Sequence, residues 1–146
     1  MKILPPQLTL MGLLAMALLR LAAPGPILLP PVWRSVGLLP GLAGLALLLA
    51  GSTRFRRLST NIRTFDEPGV LVTDGLFRVT RNPMYLGFVL VLLGAGLAMG
   101  ALTPLFVPVA FLIVANAWYI PFEERALQTK FGEAYALYRR RTRRWL

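Results

Sequence analysis

Two short polar groups bracket the longest uncharged stretch of this chain. Arg81-Asn82-Pro83-Met84-Tyr85 stands before it and Glu123-Glu124 after it, with no Asp, Glu, Lys or Arg from Asn82 to Phe122. An arginine, an amide, a phenol and two carboxylates can bind a cationic or zwitterionic ligand, or can pair with one another. Cys and His are absent from the whole sequence. Their absence removes disulfides, thiolate nucleophiles and most zinc, haem and iron–sulfur ligation, and leaves no side chain with an unperturbed pKa near neutrality. Binding and positioning are the chemistry that such a set can do.

The elements that must position these residues follow from length. One transmembrane helix needs ~20 apolar residues to cross roughly 30 Å of hydrocarbon, and the uncharged stretch is about twice that, so it crosses and returns. Gly94, Gly96, Gly100 and Thr103-Pro104 mark the turn. The two polar groups therefore meet on one face of the membrane. Adjacent carboxylates where a helix leaves the bilayer are costly unless paired or wetted. The residues four positions on from Glu123 and Glu124 are Leu127 and Gln128, so neither acid has a cation one helical turn away. Their partner comes from elsewhere: Arg81 or Arg78, as an ion-pair clasp between helices, or a cationic ligand. Pro83 falls in the first turn of the third span, where a missing N–H does no harm. Tyr85 suits a membrane interface, and Gly87 leaves room for close approach.

With 146 residues, 56% hydrophobic content and a mean hydropathy of +0.63, the chain reads as a single integral membrane domain of the all-α class. Four spans are expected at roughly 6–22, 35–52, 84–100 and 104–121. They divide the chain into an N-terminal hairpin (1–52), a cytoplasmic loop (53–83), a second hairpin (84–122) and a C-terminal amphipathic helix (123–146). The first segment also has the general shape of a signal peptide, although Ala22-Ala23-Pro24 is a poor cleavage site. Of the 16 Lys and Arg, only Arg20 and Arg34 lie near the first inter-helix turn. By the positive-inside rule both termini and the 53–83 loop are then cytoplasmic, in an inner or plasma membrane. The net charge of +10 is accounted for by anionic headgroups, so a nucleic-acid partner is not expected.

Within the loop, Glu67-Pro68-Gly69 and Thr73-Asp74-Gly75 are turn signals around a short extended piece, Val70-Leu71-Val72. Arg54-Phe55-Arg56-Arg57 reads as a solvated, lipid-facing helix end. Pro121 marks a kink or break after the fourth span. Leu127, Phe131, Tyr135 and Tyr138 then recur at helical spacing, giving an apolar stripe for the membrane or for the loop. The arginine-rich end 139–145 reads as an interfacial anchor. Glycines along the third span permit close helix packing, within the chain before between chains.

The run from Thr73 to Gly87, the apolar hairpin, Glu123-Glu124 and the run Phe131-Gly132-Glu133-Ala134-Tyr135-Ala136-Leu137-Tyr138 together resemble the isoprenylcysteine carboxyl methyltransferase family and its phospholipid methyltransferase relatives. The resemblance covers a little under half the chain. It implies a multi-span membrane enzyme using S-adenosylmethionine, with an Arg-His-Pro-x-Tyr motif and a Glu-Glu pair at the cofactor pocket. On that resemblance Arg81, Asn82, Pro83, Tyr85 and Gly87 line the pocket, while Glu123 and Glu124 bind the cofactor's amino group or fix the polar network around it. Catalytic candidates are Arg81, Asn82 and Glu124. Asn82 replaces the family's His, so a proton-transfer role there is in question while a binding role survives.

Methyl transfer from a sulfonium is an in-line displacement that depends on positioning. A carboxylate acceptor is already ionised at neutral pH, whereas an ammonium must first lose a proton. Without His, the expectation is a hydrophobic carboxylate of isoprenylcysteine type, entering laterally from the lipid. The alternatives are a phospholipid or other lipid amine, a small apolar thiol, or a non-catalytic scaffold held by an Arg/Glu clasp. A reductase lacks the glycine-rich fingerprint that would follow a strand.

Overall fold

A computed structural model describes residues 3–58 and 69–146. They form helices α1 (Pro5–Ala22), α2 (Leu38–Arg57), α3 (Pro83–Met99), α4 (Phe106–Val114) and α5 (Ile120–Arg141), with no strand among them. This is the expected helical membrane bundle. Three of its rods are long and apolar enough to cross a bilayer: Pro5–Ala22, Pro31–Arg57 and Thr103–Arg141. The apolar helix Pro83–Met99 is shorter. Ile3, Leu10, Leu14, Leu18, Leu42, Leu49, Phe106, Ile113 and Trp118 point outward, as they should where lipid replaces water.

α3 is the inner helix. α2 packs along it more extensively than any other pair of described elements, and α1 and α4 close on its remaining sides. The contact with α2 is backbone to backbone. A Cβ added at Gly44 would lie 2.6 Å from the Gly87 carbonyl oxygen, and one at Gly94 would lie 2.6 Å from that of Gly37. The glycines of the third span thus serve packing within the chain, the small-residue contact by which helices associate in lipid. Met16, Phe88, Leu92, Phe111, Ala115, Tyr119 and Ile120 fill the core between α1, α3 and the α4–α5 rod.

At the turn side, Gly100 at φ 69° ends α3. Its carbonyl accepts from the Leu28 and Leu29 amides at 2.9 and 3.2 Å, while Arg20 Nε donates to the Met99 carbonyl at 3.0 Å. The orphan carbonyls of the helix end are satisfied in this way.

The fourth span differs from its expected form. Pro121 does not interrupt it: one rod runs from Phe106 to Arg141, with a π turn over Ala115–Tyr119 between α4 and α5. Proline has no N–H for the carbonyl of the preceding turn and its ring crowds that carbonyl. Widening the turn just before Pro121 accommodates both defects without ending the helix. The sharp bend comes later, at Gly132 (φ 49°, ψ −122°), a conformation open to glycine.

That bend folds the C-terminal half of α5 over the loop. Tyr135 and Tyr138 bury with Val72 and Phe77, joined by Phe55, Leu58, Leu71, Leu127 and Phe131. The apolar stripe therefore lies on the loop and not on the membrane. Arg54 and Phe55 take part too: Arg54 pairs with Asp74, and the Phe55 ring meets Phe77 edge-on at 5.2 Å. The end of α2 is tied to the loop where a bare lipid-facing end was expected. Residues 69–74 form no strand and bend at Val70 and Asp74, and Gly75–Arg78 form a single 3₁₀ turn. The Glu67-Pro68 part of the first turn signal, and Lys2, lie outside the described residues.

Candidate functional site

The two ends of the apolar hairpin meet, as its length requires. Asn82 (φ −129°, ψ 52°) sits just ahead of α3 and Pro83 is its first residue. Arg81 therefore lies before the helix and Tyr85 on its first turn. Glu123 lies on the first turn of α5 and Glu124 follows it. Arg81 Nη2 donates to Glu124 Oε1 at 2.8 Å, and the Tyr85 hydroxyl donates to Glu123 Oε1 at 2.8 Å. The Tyr85 ring stacks on Tyr119 at 6.2 Å. Each carboxylate of the pair thus meets a different residue of the Arg81–Tyr85 motif.

A third strand of chain joins them. After α5 the backbone turns extended at Thr142 and runs beside residues 80–82. The Arg81 amide donates to the Arg143 carbonyl at 2.9 Å, and the Thr80 hydroxyl and Asn82 Nδ2 donate to the Arg144 carbonyl at 3.1 and 2.9 Å. The Arg144 side chain then reaches across: Nη2 and Nε donate to Glu124 Oε2 and Oε1 at 2.6 and 3.3 Å, and Nη1 donates to Asn116 Oδ1 at 3.0 Å. Two guanidiniums share one carboxylate, one of them through the bidentate fork that makes such pairs strong.

The pair is largely buried, with 9% of the Arg81 side chain and 12% of the Glu124 side chain exposed. Burial pushes the Glu124 carboxyl up, but the hydrogen bonds from Arg144 and Arg81 outweigh it and hold the group below its ordinary value. Burial, reinforced by the Glu124 charge, raises the Tyr135 phenol, so that hydroxyl stays protonated at neutral pH. The sign for Glu124 follows directly. A depressed folded-state pKa stabilises the fold above the ordinary carboxyl value of 4.5, and that contribution is lost as pH falls through the depressed value. The difference in melting temperature between the unmodified protein and Glu124→Gln should therefore be constant near neutrality and shrink below about pH 4.5. A gap that stays constant down to pH 3 would show that Glu124 is not held ionised.

Of the residues expected to form the site, Arg81, Tyr85, Glu123 and Glu124 come together, with Asn82 and Pro83 buried beside them. Gly87 does not join them. The space left by its missing side chain is filled by α2, since a Cβ there would lie 2.8 Å from Leu48 Cγ and 2.9 Å from the Gly44 carbonyl oxygen; close helix contact, and not a ligand, is why it must be glycine. The clasp is made by Arg81, whereas Arg78 is exposed. Arg144, Asn116 and the Tyr135 hydroxyl went unforeseen. The unmet partner of Glu124 was a signal that a distant cation was needed, but nothing distinguished Arg144 among its neighbours.

The sequence profile of the family described as phospholipid methyltransferase matches residues 32–134. The chain belongs to that family. As a phospholipid methyltransferase family member, the chain is supported as a membrane methyltransferase by the match together with its apolar helices. An uncharacterized protein of Haemophilus influenzae is 38% identical over 63 residues, which are 43% of this chain and the whole of that protein. No solved structure matches the chain. The stretch of this chain that matches the family, residues 32–134, contains Arg81, Tyr85, Glu123 and Glu124 but ends before Thr142.

Proposed function

We propose that the chain transfers a methyl group from S-adenosylmethionine to a lipid-like acceptor at the membrane face where the Arg81 motif and the glutamate pair meet. The observation that carries this reading is the joining of Arg81 to Glu124 and of Tyr85 to Glu123 across the ends of the apolar hairpin, inside the stretch that matches the family.

The residues present fit the amino-acid end of that cofactor. Its carboxylate calls for guanidinium donors, and Arg81 Nε is a buried donor with no acceptor among the described residues. Its ammonium calls for a carboxylate, and Glu123, which accepts from the Tyr85 hydroxyl, and Glu124, which answers two arginines, are the candidates on this face. Gly87 drops out of the proposed pocket, and Asn82 and Pro83 act by fixing the backbone around Arg81. Bound there, the cofactor supplies an electrophilic methyl carbon: a lone pair of the acceptor forms the new bond as the carbon–sulfur pair returns to sulfur. The chain's contribution is orientation and exclusion of water.

The acceptor is a membrane lipid or lipid-like molecule with its reacting atom at headgroup depth. A carboxylate needs no base, which favours an isoprenylcysteine-type acid. The description of the matched family favours a phospholipid amine, and an amine acceptor would pass its proton to water or to Glu123. The excess of Lys and Arg in the loop and tail supports a cytoplasmic side for the site, where they would meet anionic lipid.

Purified protein in detergent is expected to bind S-adenosylhomocysteine and to lose it in a Glu123→Gln, Glu124→Gln double variant. Incubation with methyl-labelled cofactor and lipid extract then separates the acceptors, because a methyl ester releases its label in base and an N-methyl group does not. Folded protein that binds neither the cofactor nor its demethylated product would sink the methyltransferase reading in favour of a purely structural clasp.

A further inference from the structure

The family match stops at residue 134, yet the polar network of the site does not. Three independent features bind residues 142–145 to it. The Arg81 guanidinium donates through Nη1 to the Thr142 and Arg139 carbonyls at 2.5 and 3.2 Å. The backbone of 143 and 144 is bonded to Thr80, Arg81 and Asn82. Trp145 packs against the core beside Tyr85 and Tyr119, its Nε1 donating to the Asn116 amide oxygen at 3.4 Å. Between these anchors the Arg144 fork spans both oxygens of Glu124, whereas Arg81 reaches one.

We infer that Arg144 is a positioning residue of the methyl-transfer site: it fixes Glu124, and through Glu124 the rotamer of Arg81, so that the buried Arg81 Nε donor is held toward the bound cofactor's carboxylate. The inference rests on the methyltransferase reading above. Its physical basis is division of labour. A single carboxylate held by one arginine can swing about its last torsion, and a fork from the opposite side removes that freedom. Asn116, on the π turn, orients the fork in turn. The tail is then part of the site and not merely a membrane anchor, as its composition alone suggested.

Arg143 supplies the control. It is one residue away, carries the same charge and is exposed, so its side chain serves any headgroup attraction as well as Arg144 does, while its bond to the Arg81 amide comes from its main-chain carbonyl, which alanine keeps. Affinity for S-adenosylhomocysteine is to be measured on full-length protein in detergent and in anionic vesicles for Arg143→Ala, Arg144→Ala and Arg144→Lys, alongside melting temperature and the KM and kcat of methyl transfer. Loss of hydrogen bonds to a charged group is expected to weaken cofactor binding by about tenfold or more in Arg144→Ala. Arg144→Lys, which keeps the charge without the fork, should fall between, and Arg143→Ala should match the unmodified protein. The KM for cofactor should rise in step with the lost affinity.

Equal behaviour of Arg143→Ala and Arg144→Ala would overturn the inference and return the tail to an anchoring role. Should Arg144→Ala not fold, Arg144→Lys decides: unmodified affinity in a folded Lys variant also overturns it. If the unmodified protein binds no cofactor, the methyltransferase reading itself fails and takes this inference with it. Binding by the unmodified protein that is unaffected in Arg144→Ala removes only the latter.

Discussion

Replacing Glu124 with alanine is expected to be among the most damaging single changes this chain can suffer. Arg81 and Arg144 both direct their guanidiniums at that carboxylate, at 2.8 and 2.6 Å, and the Arg81 side chain is 9% exposed. Removing one partner of a buried ion pair leaves the other charge uncompensated and costs on the order of 3–5 kcal/mol. Against the roughly 5–15 kcal/mol that holds an ordinary domain together, this is a large share. The exposed Arg54–Asp74 pair provides the comparison, its side chains being 37% and 52% exposed. Asp74→Ala should lower the melting temperature far less than Glu124→Ala does, because solvent screens an exposed pair. Thermal unfolding in detergent reads both. Glu124→Ala melting at the unmodified temperature would mean that water or lipid phosphate takes up both guanidiniums, and the site would be far wetter than its burial indicates.

The second large effect is expected at Gly94, far from the site. A Cβ there would sit 2.6 Å from the Gly37 carbonyl oxygen, 2.6 Å from the Gly41 amide nitrogen and 2.7 Å from Gly41 Cα. All three are backbone atoms, so no side chain can rotate away and α2 must separate from α3. Overpacking typically costs about 1–3 kcal/mol and more where the backbone has to shift, so Gly94→Ala should fall at or beyond the upper end. Gly41→Ala tests the same helix pair with the opposite result. Its Cβ would have nothing closer than the Gly94 Cα at 4.0 Å, and alanine gains about 1 kcal/mol of helix propensity over glycine. Equal melting temperatures for the two variants would show that the helices are not in backbone contact at Gly94.

Much of this architecture was legible because lipid imposes a simple rule on sequence. The expected spans 6–22 and 84–100 lie within a residue of α1 and α3, since apolar length alone defines them. Hydropathy failed where it stops being the governing variable. The second span was expected to end at 52 with Arg54–Arg57 as the helix end beyond it, and α2 does run to Arg57, but its arginine end turns to Asp74 of the loop. Pro121 was read as a kink or break, and the helix runs on through it with a π turn just before. Gly87 was placed in the pocket through its motif, when the deciding fact was an α2 backbone forty residues earlier in sequence, near Gly44. Arg81, Tyr85, Glu123 and Glu124 were found because a charge-free hairpin forces its ends together. Arg144 was not, being one of five arginines in 139–144 whose individual directions only the folded tail decides.

The position of Arg144 along the chain also sets an order of events at synthesis. Arg81 is made before the second hairpin, Glu124 after its apolar stretch, and Arg144 after α1 to α4 and most of α5. The fork that locks Glu124 therefore joins residues that chain order keeps apart, and it cannot form until the elements between them have been made. A chain cut before Thr142 would keep the helices and lose both the Arg144 fork on Glu124 and the backbone bonds to residues 80–82.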